Sequence, residues 1–341
     1  MQPPDFEKET ADAAHFDGSV LVRRFSWSYS REQLFRRCRR AYFIGGFLPQ
    51  GGWDPMAHPV IRSAYAEKQR MSFRIWLSRT VRNGIAEGLK KALGHPVELR
   101  RKLFSSGCLR SFSKELFELE YSMEHEEYLN DPKRPCIREC LGREPESFPE
   151  RRQQAMDSFG TAYKTLTSSP LFRELLLQDP IRFRFQDDLL ALPFGRWTVW
   201  FSPGLVFFDG RRFNMLLCSA SDPSGEAEEI PEGNSSPLPD PASVAAALFD
   251  RHVRTVWKGA PPLARLFRFG SGHAEVEEIR PADGIEALIC SGAEEMFSMI
   301  RPDGTAFFGD FPKAPGSARC GTCQYAETCR LLDRWEEEHH C

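Results

Sequence analysis

The sequence predicts an α/β (α+β) chain with a small central mixed sheet flanked by helices. Three observations carry that expectation. Before residue 180 apolar residues recur at spacing four, the signature of amphipathic helices. Near residue 180 the period changes to two, as in half-buried strands. An Asp209-Gly210 pair then separates two apolar runs, a hairpin signal.

In chain order, residues 1–25 read as a polar lead-in. Ser28-Tyr29-Ser30-Arg31-Glu32-Gln33 opens the first helix, with Ser30 as N-cap and Gln33 completing a capping box. Leu34, Cys38 and Tyr42 follow at spacing four on one continuous face. Residues 46–56 are Gly/Pro-rich loop. A second helix covers about 66–93, with Leu77, Val81, Ile85, Leu89 and Leu93 as its stripe. Residues 100–150 are highly charged and helical in part, and Met156, Phe159, Tyr163 and Leu166 mark a further helix. Ile181, Phe183 and Phe185, then Trp197, Val199 and Phe201, alternate as strands. Leu205 to Phe208 and Phe213 to Cys218 flank the Asp-Gly turn. Residues 220–242, rich in Pro, Ser, Gly and Glu, read as an acidic loop. A helix near 242–257, strands near 264–280, a helix near 284–300 and a Cys-rich end complete the chain. The domain reading is one domain over 26–332, with a helical insertion at about 95–178, and a frayed tail at 333–341.

Composition narrows the function. The chain has 341 residues, 41% hydrophobic and 27% charged, which suits a folded protein. Lys and Arg total 45 against 48 Asp and Glu, a net charge of -3. A globally basic nucleic-acid binder is excluded; a local basic patch is not. No apolar run is long enough to span a bilayer. The start of the chain has neither a basic nor an apolar leader segment, so a cytoplasmic setting without membrane partners is expected. In that setting some of the 10 cysteines point to metal rather than disulfides.

The sharpest motif is Cys320-Gly-Thr-Cys323-Gln-Tyr-Ala-Glu-Thr-Cys329. A C-x2-C turn lets two sulfurs converge on one soft or borderline metal. Three cysteines need a fourth donor, and Cys38, His339, His340 and Cys341 are candidates. Spacing alone does not choose between zinc and an iron–sulfur cluster. Cys108, Cys136, Cys140 and Cys290 read as packing or surface thiols.

Ser28-Tyr29-Ser30, Phe35 and Cys38-Arg39-Arg40-Ala41-Tyr42-Phe43, taken with the late cysteines, resemble the iron–sulfur nucleases of the PD-(D/E)XK superfamily. These include CRISPR-associated exonucleases and the nuclease domains of helicase–nuclease repair complexes. The resemblance covers roughly residues 26–332 as landmarks. It implies a restriction-endonuclease-like core and a [4Fe–4S] cluster on Cys38, Cys320, Cys323 and Cys329, clasping the N- and C-terminal segments.

The same resemblance implies a histidine on the second helix, an acid on each hairpin strand with a lysine two residues after the second acid, and a Gln/Tyr motif on a later helix. This chain departs from all of them. Arg82 stands at the histidine position, and an arginine is no neutral metal ligand. Gly204 stands at the first acid, and Leu217-Cys218-Ser219 replaces acid-x-lysine, with Ser219 at the lysine. Val244 to Phe249 offers neither Gln nor Tyr. Another acid-x-lysine triplet, Asp131-Pro132-Lys133, sits among prolines before every strand. The expectation is a catalytically inactive nuclease-like protein of DNA repair or defence, acting on DNA, single-stranded included, or on a helicase or nuclease partner. Arg31, Arg36, Arg37, Arg39 and Arg40, interleaved with aromatics, are its candidate nucleic-acid contacts. Beside it stand a redox-sensing cluster protein, which needs a solvent-exposed cluster, and two further alternatives. One is an active Mg²⁺- or Mn²⁺-dependent deoxyribonuclease with acids relocated among Asp187, Asp188, Asp209 and Asp222. The other is a zinc-stabilised interaction module.

Overall fold

The computed structural model describes residues 16–141, 146–177, 183–185, 189–221, 238–270, 272–314, 320 and 323–339. A short strand, β1 (Ser19–Leu21), leads into helices α1 (Tyr29–Arg37), α2 (Arg39–Gly46), α3 (Pro59–Gln69), α4 (Phe73–Leu93) and α5 (Val97–Glu124). The single turn α6 (Glu127–Asn130) precedes α7 (Phe148–Ser168) and α8 (Pro170–Leu176). Strands β2 (Phe183–Phe185), β3 (Leu190–Phe194), β4 (Trp197–Phe201), β5 (Leu205–Phe208) and β6 (Phe213–Ala220) come next. The chain continues through α9 (Pro241–Thr255), β7 (Leu263–Gly270), β8 (His273–Glu278), α10 (Ile285–Phe297), β9 (Thr305–Phe307) and α11 (Ala326–His339).

The fold is thus mixed helix and sheet. A five-stranded sheet runs in the order β2-β5-β6-β7-β8. β6 and β7 are parallel, and the other neighbours are antiparallel. A parallel pair needs a crossover, and α9 lies within it. Because successive residues alternate faces, the strands feed two cores. Leu205, Phe207, Leu216, Phe267 and Phe269 pack with α4, α5, α7 and α8. Val206, Met215 and Ala264 turn the other way, toward α2, α9, α10 and the β3–β4 hairpin. The segment read as an insertion therefore shares one face of the sheet with α4. Glycine makes its inner pair close. A Cβ on Gly107 of α5 would stand 2.9 Å from the Gly88 Cα of α4, so these helices touch backbone to backbone.

Several elements differ from expectation. The first helix is two helices, broken at Cys38, whose extended backbone (φ -162, ψ 114) ends α1 and begins α2. Leu34, Cys38 and Tyr42 therefore do not share one straight helical face. The N-cap of α1 is Ser28, whose side chain accepts the Arg31 N–H; Ser30 lies inside the helix. The helix read over 66–93 is also two, divided between Gln69 and Phe73, with Ser72 capping α4 through the Ile75 N–H. The lead-in is built into the fold from Phe16, because β1 pairs with β9 and Phe16 is buried. The tail is helical to His339, with Leu332 fully buried and the Trp335 ring against Phe16 and Phe308. Most of the acidic loop, residues 222–237, lies outside the described residues.

Glu32 anchors the opening of the domain. It is fully buried, accepts Trp27 Nε1 at 2.5 Å and Arg36 Nε at 2.9 Å, and lies under Gly292 of α10. Burial pushes its carboxyl up, against the pull of Arg36 and Trp27. Glu32→Ala leaves both donors without their acceptor and is expected to lower stability by about 3 kcal/mol in urea denaturation.

Candidate metal centre and hairpin site

Cys38 sits where two helices meet, and its Sγ accepts the Ala41 N–H at 3.4 Å as the N-cap of α2. On the opposite end of the chain, Cys323 directly precedes α11 and Cys329 lies in its first turns. Cys323 and Cys329 each lie within electrostatic reach of Cys38, which disfavours the thiolate of each. All three are half-buried and pack on the same apolar core. Cys320 is exposed, and its carbonyl accepts the Cys323 N–H at 3.4 Å, which closes a turn.

Burial is the largest influence on these thiols. It raises Cys323 and takes Cys329 to about 11. Cations work against it: Arg37 beside Cys323, and Lys313 and Arg40 beside Cys329. Tyr325 N–H also donates to the Cys323 sulfur at 3.4 Å. Half-buried thiols with nearby cations and a backbone donor suit a soft metal or an anionic cluster, which takes the thiolate form and needs its charge offset. Among the described residues, no three His, Cys, Asp or Glu side chains converge as a metal-holding group. His339 Nδ1 donates to the Trp335 carbonyl one turn back, and His340 and Cys341 lie outside the described residues.

Two contacts that the sequence hid seat the late cysteines. Glu67 of α3, 2% exposed, accepts the Glu327 N–H at 3.0 Å and the Thr328 N–H at 3.2 Å. A carboxylate at a helix N-terminus satisfies orphan donors and meets the positive end of the dipole. Thr328 Oγ1 adds a bond to Ser63 Oγ at 2.9 Å. Arg40 supplies the second contact. Its N–H reaches the Pro312 carbonyl at 3.2 Å and its Nε the Phe311 carbonyl at 2.8 Å.

The expected nucleic-acid arginines are spent inside the fold. Arg40 is 6% exposed, Arg36 bonds Glu32, Arg39 bonds Glu295 at 2.9 Å, and Arg31 bonds Ser26 Oγ at 2.8 Å. Arg37 lies beside Cys323 and Tyr325. Arg31 and Arg36 pair within their own segment, and the Arg39–Glu295 pair is exposed.

The hairpin positions do meet. β5 and β6 pair Leu205 with Leu216, and one further step sets Gly204 opposite Leu217. A Cβ on Gly204 would stand 3.3 Å from Leu217 Cδ2 and only 2.6 Å from the Leu216 carbonyl oxygen. Gly204 also has φ +70, the left-handed region. This place therefore accepts glycine and no carboxylate. Leu217 packs on the α9 side, and Ser219 shares its face by alternation. Arg82 approaches from α4 on the other side, where it partly offsets the burial that takes the Cys218 thiol to about 12. So the structure joins Gly204, Leu217 and Ser219, and separates Arg82 from them by the thickness of the sheet. Val244, Ala246, Ala247, Leu248 and Phe249 of α9 are buried core, without a polar side chain aimed at the hairpin.

Asp209, one of the candidate relocated acids, is a turn former. Asp209 accepts the Arg211 and Arg212 N–H groups at 2.8 and 3.0 Å and Asn214 Nδ2 at 3.0 Å, and these bonds hold its carboxyl below the usual range despite partial burial. It closes the hairpin. Asp187, Asp188 and Asp222 lie outside the described residues. Asp131 likewise bonds the Lys133 N–H at 3.1 Å in a loop.

No protein-family model matches this chain, and no curated protein matches it.

Gly204→Asp, which would restore the first acid of the motif, is expected instead to cost about 3 kcal/mol through left-handed strain and the clash with Leu216. Denaturant unfolding measures the loss, and no divalent-cation dependence of stability should accompany it.

Proposed function

We propose that this chain is a nuclease-like protein of the iron–sulfur PD-(D/E)XK type, catalytically inactive, that acts by binding DNA or a partner protein in DNA repair or defence. One observation carries the reading: Cys38, at the helix junction, lies beside Cys323 and Cys329 from the far end of the chain. Cys38, Cys323, Cys329 and, from its adjoining turn, Cys320 would hold the cluster. When bound, the cluster supplies a covalent cross-link between the two ends, and its role is structural. The residues around it do the orienting. Glu67 fixes the start of α11, Arg40 fixes the 311–312 strand of backbone, and Arg37, Arg40 and Lys313 offset thiolate charge.

The inactive reading rests on the hairpin. Metal-dependent cleavage needs acids that hold a cation against the scissile phosphate. Gly204 and Leu217 occupy the two facing positions, and neither offers an oxygen ligand from its side chain. A buried carboxylate pair is costly without its cation, so apolar replacements relieve that cost once cleavage is gone. The restriction-endonuclease-like core is supported by the order helix α4, antiparallel β5–β6, crossover α9 and parallel β7.

The test is a gel assay of end-labelled single- and double-stranded DNA with anaerobically purified full chain and Mn²⁺. Retarded, intact DNA is the expected result. Cleavage abolished by a chelator would overturn the inactive reading, and intact DNA without retardation would leave only the partner-protein form.

A further inference from the structure

Charge is sharply divided along α5. From Lys90 to Lys102, the end of α4 and the start of α5 carry Lys90, Lys91, Arg100, Arg101 and Lys102 against one acid, Glu98. From Lys114 to Glu127 the pattern reverses, with six glutamates against one lysine. A helix macrodipole favours acids near the N-terminus and bases near the C-terminus. α5 has bases crowded into its first turns, no basic residue in its last turn and no side-chain N-cap. Over 28 residues, about 42 Å, the helix is a basic head joined to an acidic tail. The acidic tail is paired locally, Glu115 with Arg79, Glu118 with Lys114 and Glu120 with Arg152, whereas the basic head carries a surplus of cations.

The basic head is a continuous surface. Lys102, Ser106 and Arg110 lie at spacing four on one exposed or part-exposed face of α5. Lys91 of α4 joins that face by bonding Ser106 Oγ at 2.8 Å. Arg100 ties the head to the end of α8 through the Leu176 carbonyl, at 2.6 Å. The close glycine contact of α4 and α5 makes the platform rigid. By contrast, the arginines of α1 and α2 are engaged within the fold. With a net charge of -3, a local concentration of bases is the only electrostatic route to a polyanion.

We infer that the α4–α5 tip, with Lys91, Arg101, Lys102 and Arg110 as its contacts, is the surface that holds the phosphate backbone of DNA. The assignment rests on the DNA-binding form of the function proposed above and relocates the contact away from the early arginines. Evenly spaced, rigidly mounted cations with exposed aliphatic side chains beside them, Leu99 and Leu109, and no base-reading amide among them suit backbone contact without sequence preference.

The test is the double variant Arg101→Glu, Lys102→Glu in the full chain. Acids here agree with the helix dipole, so the variant is expected to keep its fold, checked by circular dichroism and thermal unfolding. Fluorescence anisotropy with labelled DNA, over a salt series, is the readout. The expected result is binding at least about tenfold weaker, with the slope of log K against log salt smaller by about two. If the parent chain binds DNA and the variant binds equally, with the same slope, the surface is wrong and the DNA-binding reading survives. If the parent binds no DNA, both fall. If the parent ignores DNA but binds phosphatidylserine vesicles in a way the variant loses, the surface is a lipid contact and the inference is overturned.

Discussion

The seating of α11 against α2 and α3 is the constraint on which the rest of this structure depends. Glu67 and Thr328 are 261 positions apart in sequence, yet the Glu67 carboxylate caps the helix that carries Cys329. Arg40 and Phe311 are 271 apart and are joined by a buried side-chain bond. Such long closures carry a large entropic cost, so the contacts that maintain them must be well satisfied. Here they are. A buried carboxylate finds two helix N–H groups, and a buried guanidinium finds a carbonyl and the face of Phe308, 4.9 Å away. These two polar contacts, with the apolar seat of buried Leu332, set the helix that carries Cys329 against the segment that carries Cys38.

That arrangement separates two roles often merged in a metal-clasped domain. Polar contacts position the ends, and a shared metal group would lock them. Arg37 near Cys323, and Arg40 and Lys313 near Cys329, partly oppose the burial that favours the neutral thiols, while Arg40 and Lys313 also pair with the Phe311 carbonyl and Asp333. The hairpin tells the opposite story. Its two facing positions keep the geometry of a strand pair, while glycine and leucine replace any group that could hold a hard cation.

Much of this was legible in the sequence, for physical reasons. The Asp-Gly turn dictated the β5–β6 hairpin because only a few residues tolerate that backbone, and the hairpin's register then set Gly204 against Leu217. The strand alternation gave the sheet its two faces. The kinks were hidden. Nothing local distinguishes Cys38 as a junction, because the helical period of Leu34, Cys38 and Tyr42 continues across it; tertiary bonds from Arg40 to residues 311 and 312 override that period. Glu67 was hidden for the same reason, as an ordinary acid in an amphipathic helix until its distant partner is known. The early arginines misled in the other direction. A charge run describes valence and not destination, and here Glu32, Glu295 and backbone carbonyls are the destination. The bipolar charge of α5 was written openly in the sequence, but its meaning needed the helix to be seen as one unbroken element.

The central claim is that Cys38 and the late cysteines share one metal group. The direct measurement is iron, acid-labile sulfide and zinc in anaerobically purified full chain, compared with Cys38→Ser. The account predicts iron and sulfide in the proportions of a [4Fe–4S] cluster, with a brown visible absorbance, and loss of both in the variant. Zinc in place of iron, or a variant whose metal content matches the parent, would contradict it.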